Sequence, residues 1–111
     1  MNARSAPITR PLVDEAAHRL HAAAPAATII LFGSRANGTP RADSDVDFLV
    51  VQPQVTERRR EMVRLSDVLR PMRLPADVVV TSRKTFDDWC RTPGTLMFEA
   101  ATKGEVLHAG L

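Results

Sequence analysis

The sequence predicts an α/β domain, α+β in detail, with a small mixed β-sheet and helices packed against it. Three observations lead there. Apolar, β-branched runs alternate with stretches of helical periodicity. The first two apolar runs, Ala27–Phe32 and Val46–Gln52, flank a polar, turn-rich segment. The second and third are joined through a helical stretch over 57–70, long enough for a right-handed parallel crossover.

Residues 1–10 read as a flexible lead-in to a domain over 11–111. Thr9 and Pro11 suit the opening of a helix over 11–24, because threonine accepts a backbone N–H at a cap and proline costs little in the first turn. Leu12, Ala16, Leu20 and Ala23 recur on one side of it, and Pro25 ends it. Ala27–Phe32 reads as a buried strand stopped by Gly33, with room for a short helix after it. Val46–Gln52 is a second strand, stopped by Pro53. Thr56 is the expected cap of the helix over 57–70, whose Met62, Leu65 and Leu69 share a face. Asp77–Thr81 is a third strand. Phe86, Trp89 and Cys90 mark a short helix and are expected in the core. Leu96, Met97 and Ala100 mark another helix, with Gly104 as its C-cap, before an edge strand over Glu105–His108.

Composition narrows the function. The chain has 111 residues, 44% hydrophobic and 25% charged, as in a soluble globular protein with one core. No apolar run exceeds four residues, so no membrane span is expected, and MNARSAPITRP lacks the apolar stretch of a secretory signal. A net charge of +2 is too small for nucleic-acid binding by bulk electrostatics. Cys90 is alone, which excludes an internal disulfide, disfavours a thiolate metal site and suits the cytoplasm. At this length a second substrate domain does not fit, so the site is built on one scaffold or shared with a partner.

The informative stretch is Gly33–Val51, GSRANGTPRADSDVDFLVV. Side chains alternate along a strand, so Asp45 and Asp47 point to the same side, with carboxylates roughly 5–7 Å apart. At an effective dielectric near 20 such charges repel by about 2–3 kcal/mol. A cation between them relieves that, and oxygen donors of this hardness suit Mg²⁺ or Mn²⁺. Gly33 leaves room for a close ligand, Ser34 can donate to a phosphate oxygen, and a helix start there favours phosphate. Together these make a site for a metal-bound nucleoside triphosphate. The parts meet only if strands one and two are antiparallel. If strands two and three are parallel, Asp77 joins Asp45 and Asp47 at one sheet edge.

Rival motifs fail. Asp43, Asp45 and Asp47 imitate an EF-hand, but its required Gly and Glu are replaced by Phe48 and Gln54. A P-loop needs Lys after the glycine turn, where Ser34 is followed by Arg35. The chain is short for a glycosyltransferase that would use Asp-x-Asp.

Gly33-Ser34, ten residues, then Asp45-x-Asp47, with a later Ala76-Asp77-Val78, resembles the nucleotidyltransferase superfamily that includes DNA polymerase beta. The short form, together with the closing KGEVLH of Lys103–His108, is most similar to minimal nucleotidyltransferase (MNT) domains, among them MNT antitoxins paired with HEPN toxins. The resemblance spans about residues 11–108. It implies a nucleotidyltransferase fold, with Gly33 and Ser34 holding the triphosphate and two Mg²⁺ ions on Asp45, Asp47 and Asp77. It also implies ATP as donor and AMPylation of a HEPN toxin. Asn37 stands where many relatives carry a basic residue.

Arg35 and Arg41 either neutralise the pyrophosphate or are simply solvated. Asp43 and Ser44 read as turn residues. Arg58, Arg59, Arg60 and Arg64 read as a solvated helix face with local ion pairs. His18 and His21 read as exposed residues without companion ligands, and Met62, Met72 and Met97 as helix packing or a subunit interface. Two other functions stay open: a non-catalytic antitoxin that masks its HEPN partner, and a transferase acting on a small molecule such as an aminoglycoside. A homo-oligomer is open as well; direct nucleic-acid contact and membrane association are not expected.

Overall fold

The computed structural model describes residues 8–33 and 45–110. Its elements run α1 (Arg10–Ala23), β1 (Thr28–Phe32), β2 (Val46–Gln52), α2 (Arg58–Leu69), β3 (Ala76–Ser82), α3 (Arg83–Trp89), α4 (Leu96–Lys103) and β4 (Glu105–His108). The strands form one mixed sheet in the order β3-β2-β1-β4. β1 is antiparallel to both β2 and β4, while β2 and β3 are parallel and joined through α2.

The sheet's two faces follow from alternation along the strands. Ile29, Leu31, Val46, Phe48, Val50, Val78 and Val80 face the larger core under α1 and α2, with Val13, Ala16, Ala17, Leu20, Leu65 and Leu69. Ile30, Phe32, Leu49 and Val51 face the smaller one, closed by Ala100 of α4 and Phe86 of α3. Phe48, Leu20, Ile29 and Leu65 are among the largest fully buried side chains, each contributing about 1.5–3 kcal/mol by leaving water. β1 and β2 are apolar without alternation because both faces are covered.

Thr9 caps α1 as expected, accepting from the Leu12 N–H at 3.4 Å, with Pro11 in the first turn. Of the lead-in over 1–10, residues 1–7 lie outside the described residues, Ile8 packs on the larger core and Arg10 opens α1. Thr56 does not cap α2. Glu57 takes that position without a side-chain cap bond, and the helix begins at Arg58, whose guanidinium donates to the Val80 carbonyl at 2.7 Å. That bond ties the first turn of α2 to β3, so tertiary contact sets the boundary that local capping was expected to set. A 3₁₀ turn over Arg70–Met72 follows, ending at Arg73 with φ of 53°. Ser82 and Thr95 cap α3 and α4. Gly104 ends α4 in extended rather than left-handed backbone. No helix among the described residues is long and apolar enough to cross a membrane.

One expectation about side chains is corrected. Trp89 is 48% exposed instead of buried, because α3 stops there and leaves its last side chain uncovered. His18 is exposed and His21 half-buried, and His108 of β4 lies against both rings.

Candidate functional site

The site is built where β1 ends and where β2 and β3 begin. In the antiparallel pair Phe32 sits opposite Asp47, and in the parallel pair Asp47 sits opposite Asp77. The Val46 N–H donates to the Pro75 carbonyl at 3.0 Å, fixing the entry of β2 beside that of β3. Strand alternation directs Asp47 and Asp77 to the face that carries Phe32 and Leu49, away from the larger core. Asp45, two residues before Asp47, is exposed at the mouth of β2, and Asp77 is exposed as well; Asp47 is half-buried.

Gly33 follows Phe32 with φ of +83°, a left-handed conformation that favours glycine. A Cβ on it would stand 2.3 Å from Asp47 Oδ2 and 3.2 Å from Asp47 Cγ. The bare backbone of Gly33 therefore makes room for the Asp47 carboxylate, a specific reason for glycine at this corner. Ser34, Arg35 and Arg41, with Asn37, Asp43 and Ser44, lie outside the described residues.

The electrostatics are those of charges sharing a small space. The Asp47 carboxyl is held above the usual carboxylate range, first by burial and then by the charges of Asp77 and Asp45. Among the described residues no Lys, Arg or His forms an ion pair with any of the three. They share an edge but are not drawn into a cage. Among the described residues, no three His, Cys, Asp or Glu side chains already stand in position to hold a metal ion. The donor set is oxygen alone, which fits a hard divalent cation able to offset the mutual repulsion.

The register brings together Asp47 and Asp77, residues 30 positions apart, as the parallel crossover requires. Sequence reasoning did not identify what fills the space above Gly33, because an Asp-x-Asp pattern fixes the side of the strand and not the reach of the side chain. The α2 arginines are largely as expected: Arg60 pairs with Glu57 at 3.3 Å and Arg64 with Glu61 at 2.6 Å, while Arg58 is instead spent on the strand carbonyl.

Comparison with known proteins agrees with this architecture. The family profile described as the nucleotidyltransferase domain matches residues 13–100. No curated protein matches the sequence. A Sulfolobus solfataricus structure described as a candidate nucleotidyltransferase superposes with a TM-score of 0.61 at 20% identity, covering 86% of this chain and 76% of that one. A toxin–antitoxin structure with AMP-PNP gives 0.61 at 21% identity, with 86% and 73% covered. A structure of a tri-AMPylated Shewanella oneidensis HEPN toxin with its MNT antitoxin gives 0.59 at 18%, with 91% and 73% covered. At these identities the structural likenesses establish the fold alone. The profile spans most of the chain, including Gly33, Asp45, Asp47 and Asp77, and the chain belongs to the nucleotidyltransferase domain family.

Proposed function

We propose that this protein transfers AMP from ATP to an acceptor hydroxyl, and that the acceptor is a protein partner, a HEPN-type toxin for which this chain is the antitoxin. The observation that carries the reading is the register opposing Asp47 to Asp77, with Asp45 two residues away and Gly33 against the Asp47 carboxylate. Asp45, Asp47 and Asp77 would hold two Mg²⁺ ions, with Mn²⁺ an alternative, and the ions supply charge neutralisation at the triphosphate and a lowered acceptor pKa.

The chain's own residues do the rest. The Gly33–Ser34 corner receives the triphosphate, Ser34 donating to a phosphate oxygen and Arg35 and Arg41 offsetting charge on the leaving pyrophosphate. Asp77, at the exposed mouth of β3, takes the proton of the acceptor hydroxyl. The freed oxygen attacks the α-phosphorus in line, the bond to the bridging oxygen breaks, and pyrophosphate departs. A positioned base contributes about 10²–10⁴ in rate. The toxin partner and the adenine nucleotide are supported by the structural neighbours, which include toxin–antitoxin complexes with AMP-PNP and with an AMPylated toxin.

The test is incubation of the protein with α-labelled ATP, Mg²⁺ and the product of the adjacent gene. Label is expected on the partner, and Asp45→Ala or Asp47→Ala should abolish it while leaving the fold intact. Undiminished labelling in both variants removes the proposal. Neutralisation of the partner without any labelling replaces it with masking by contact.

A further inference from the structure

Three imidazoles from opposite ends of the chain meet where α1 passes the end of β4. His18 and His21 stand three apart on α1, one helical turn, and so share a side of the helix. His108 ends β4 opposite Ile29 of β1. Its ring stacks on His21 with centroids 4.6 Å apart and planes 11° from parallel, and lies 6.3 Å from His18 at a tilt of 50°. At the other end of the same strand, Arg10 donates to both oxygens of Glu105, at 3.1 and 2.7 Å, and to Asp14 at 2.8 Å. β4 is therefore held to α1 at both ends, by an ion pair at its start and by stacked imidazoles at its finish.

The two fastenings respond differently to protons. Of the two, only the stack is built from imidazoles, the side chains whose ordinary charge change falls between pH 5 and 8. Burial, and then His21 and His18, hold His108 below the ordinary imidazole range, and Asp14 opposes them. The groups facing His108 are Asp14, His18 and His21 from α1; its partner on β1 is Ile29, which carries no charge. Arg83 of α3 is turned to Thr28 at 3.3 Å, to Asp87 at 3.6 Å and to the face of the Phe86 ring. Apart from these fastenings β4 is held by Leu107, which packs on the larger core, and by the Gly110 N–H just beyond the strand, which donates to Thr28 Oγ1 at 2.9 Å. It is a four-residue edge strand paired with β1 alone, with a register shift between Ile29 and Ile30.

We propose that the His18–His21–His108 cluster is an acid-sensitive latch on β4. With neutral rings the stack holds the strand's end against α1. When the rings are protonated, positive charges a few ångströms apart drive the His108 end off α1 and β1, while Arg10–Glu105 retains the start. The sign follows from linkage: a group that protonates more readily when undocked favours the docked state at pH above its free value, near 6.5, and loses that preference as pH falls. The latch lies at the end of the sheet remote from the three carboxylates, so its release is independent of them.

Amide hydrogen exchange on the whole chain tests this, at pH 7.5 and 5.5, corrected for intrinsic rates and with a chelator present to exclude metal capture by the imidazoles. Protection of Val106–His108 should fall between pH 7.5 and 5.5, while β2 amides keep theirs. His18→Gln with His21→Phe, which leaves a ring for His108 to stack on, should shrink the fall, the part due to His108's own burial remaining. An NMR titration of the wild type guards against misfolding of the variant: β4 backbone shifts should follow the His108 midpoint, and that midpoint should lie below 6.5. Unchanged protection, an equal fall in the double variant, or β4 shifts that ignore His108 would each overturn the proposal.

Discussion

Gly33 and Asp47 form the tightest unit of the site, and changing either separates stability from activity in a different way. Alanine at Gly33 must hold φ at +83° and place its Cβ 2.3 Å from Asp47 Oδ2. The backbone strain costs about 1–2 kcal/mol, and the carboxylate must swing away. Gly33→Ala is expected to lower the melting temperature by about 4–8 °C and transfer by at least about tenfold, read by calorimetry and by labelled ATP. Asp47→Asn should do the reverse to stability. It removes a half-buried charge that two other carboxylates oppose, so the melting temperature rises by about 2–4 °C while transfer is lost. A drop in both quantities would mean that a cation already offsets the Asp47 charge before nucleotide binds.

These residues also mark what could be read from the sequence. Asp45 and Asp47 were legible because a period of two puts them on one side whatever the fold, and Asp77 because an unpaired carboxylate inside an apolar strand is costly. The histidine cluster was not legible. His18 and His21 signal only a shared helix side, and their third member depends on the register of an edge strand with a shift in it. Trp89 was misread because an aromatic near the end of a short helix carries no information about which way the last turn faces.

Among the elements, the α4–β4 junction is the one whose tolerance is easiest to measure. A Cβ on Gly104 would meet the Ala100 carbonyl oxygen at 2.3 Å, Ile30 Cγ2 at 2.7 Å and the Leu31 carbonyl oxygen at 3.0 Å. Two of these are backbone atoms of neighbouring elements, so relief requires α4 or β4 to move. Gly104→Ala should cost about 1–3 kcal/mol in urea unfolding, with transfer per folded molecule unchanged, because the carboxylates lie on β2 and β3. Loss of transfer without loss of stability would place β4 in the chemistry. The strands were legible in sequence within a residue or so because burial on two faces leaves continuous apolar runs. The start of α2 was not, since Arg58 reaches a carbonyl on β3, a contact no local pattern encodes.

Over the whole molecule, the strand directions decide everything about the site. An antiparallel β1–β2 pair brings Gly33 to Asp47, and a parallel β2–β3 pair brings Asp77 to Asp47. Both directions could be argued from the sequence, since the chemistry needs the first and the helix between strands permits the second. The closing of β4 on the outer side of β1 could not, because nothing in a four-residue strand names its neighbour.

Whether Asp47 and Asp77 form one site is decided by thermal unfolding with and without Mg²⁺ and ATP, in the wild type, Asp47→Asn, Asp77→Asn and the double variant. If carboxylates from two strands act as one site, Mg²⁺-ATP raises the wild-type melting temperature, and either single substitution removes the shift as fully as both together. A full shift retained in Asp77→Asn, with the loss confined to Asp47→Asn, would contradict it.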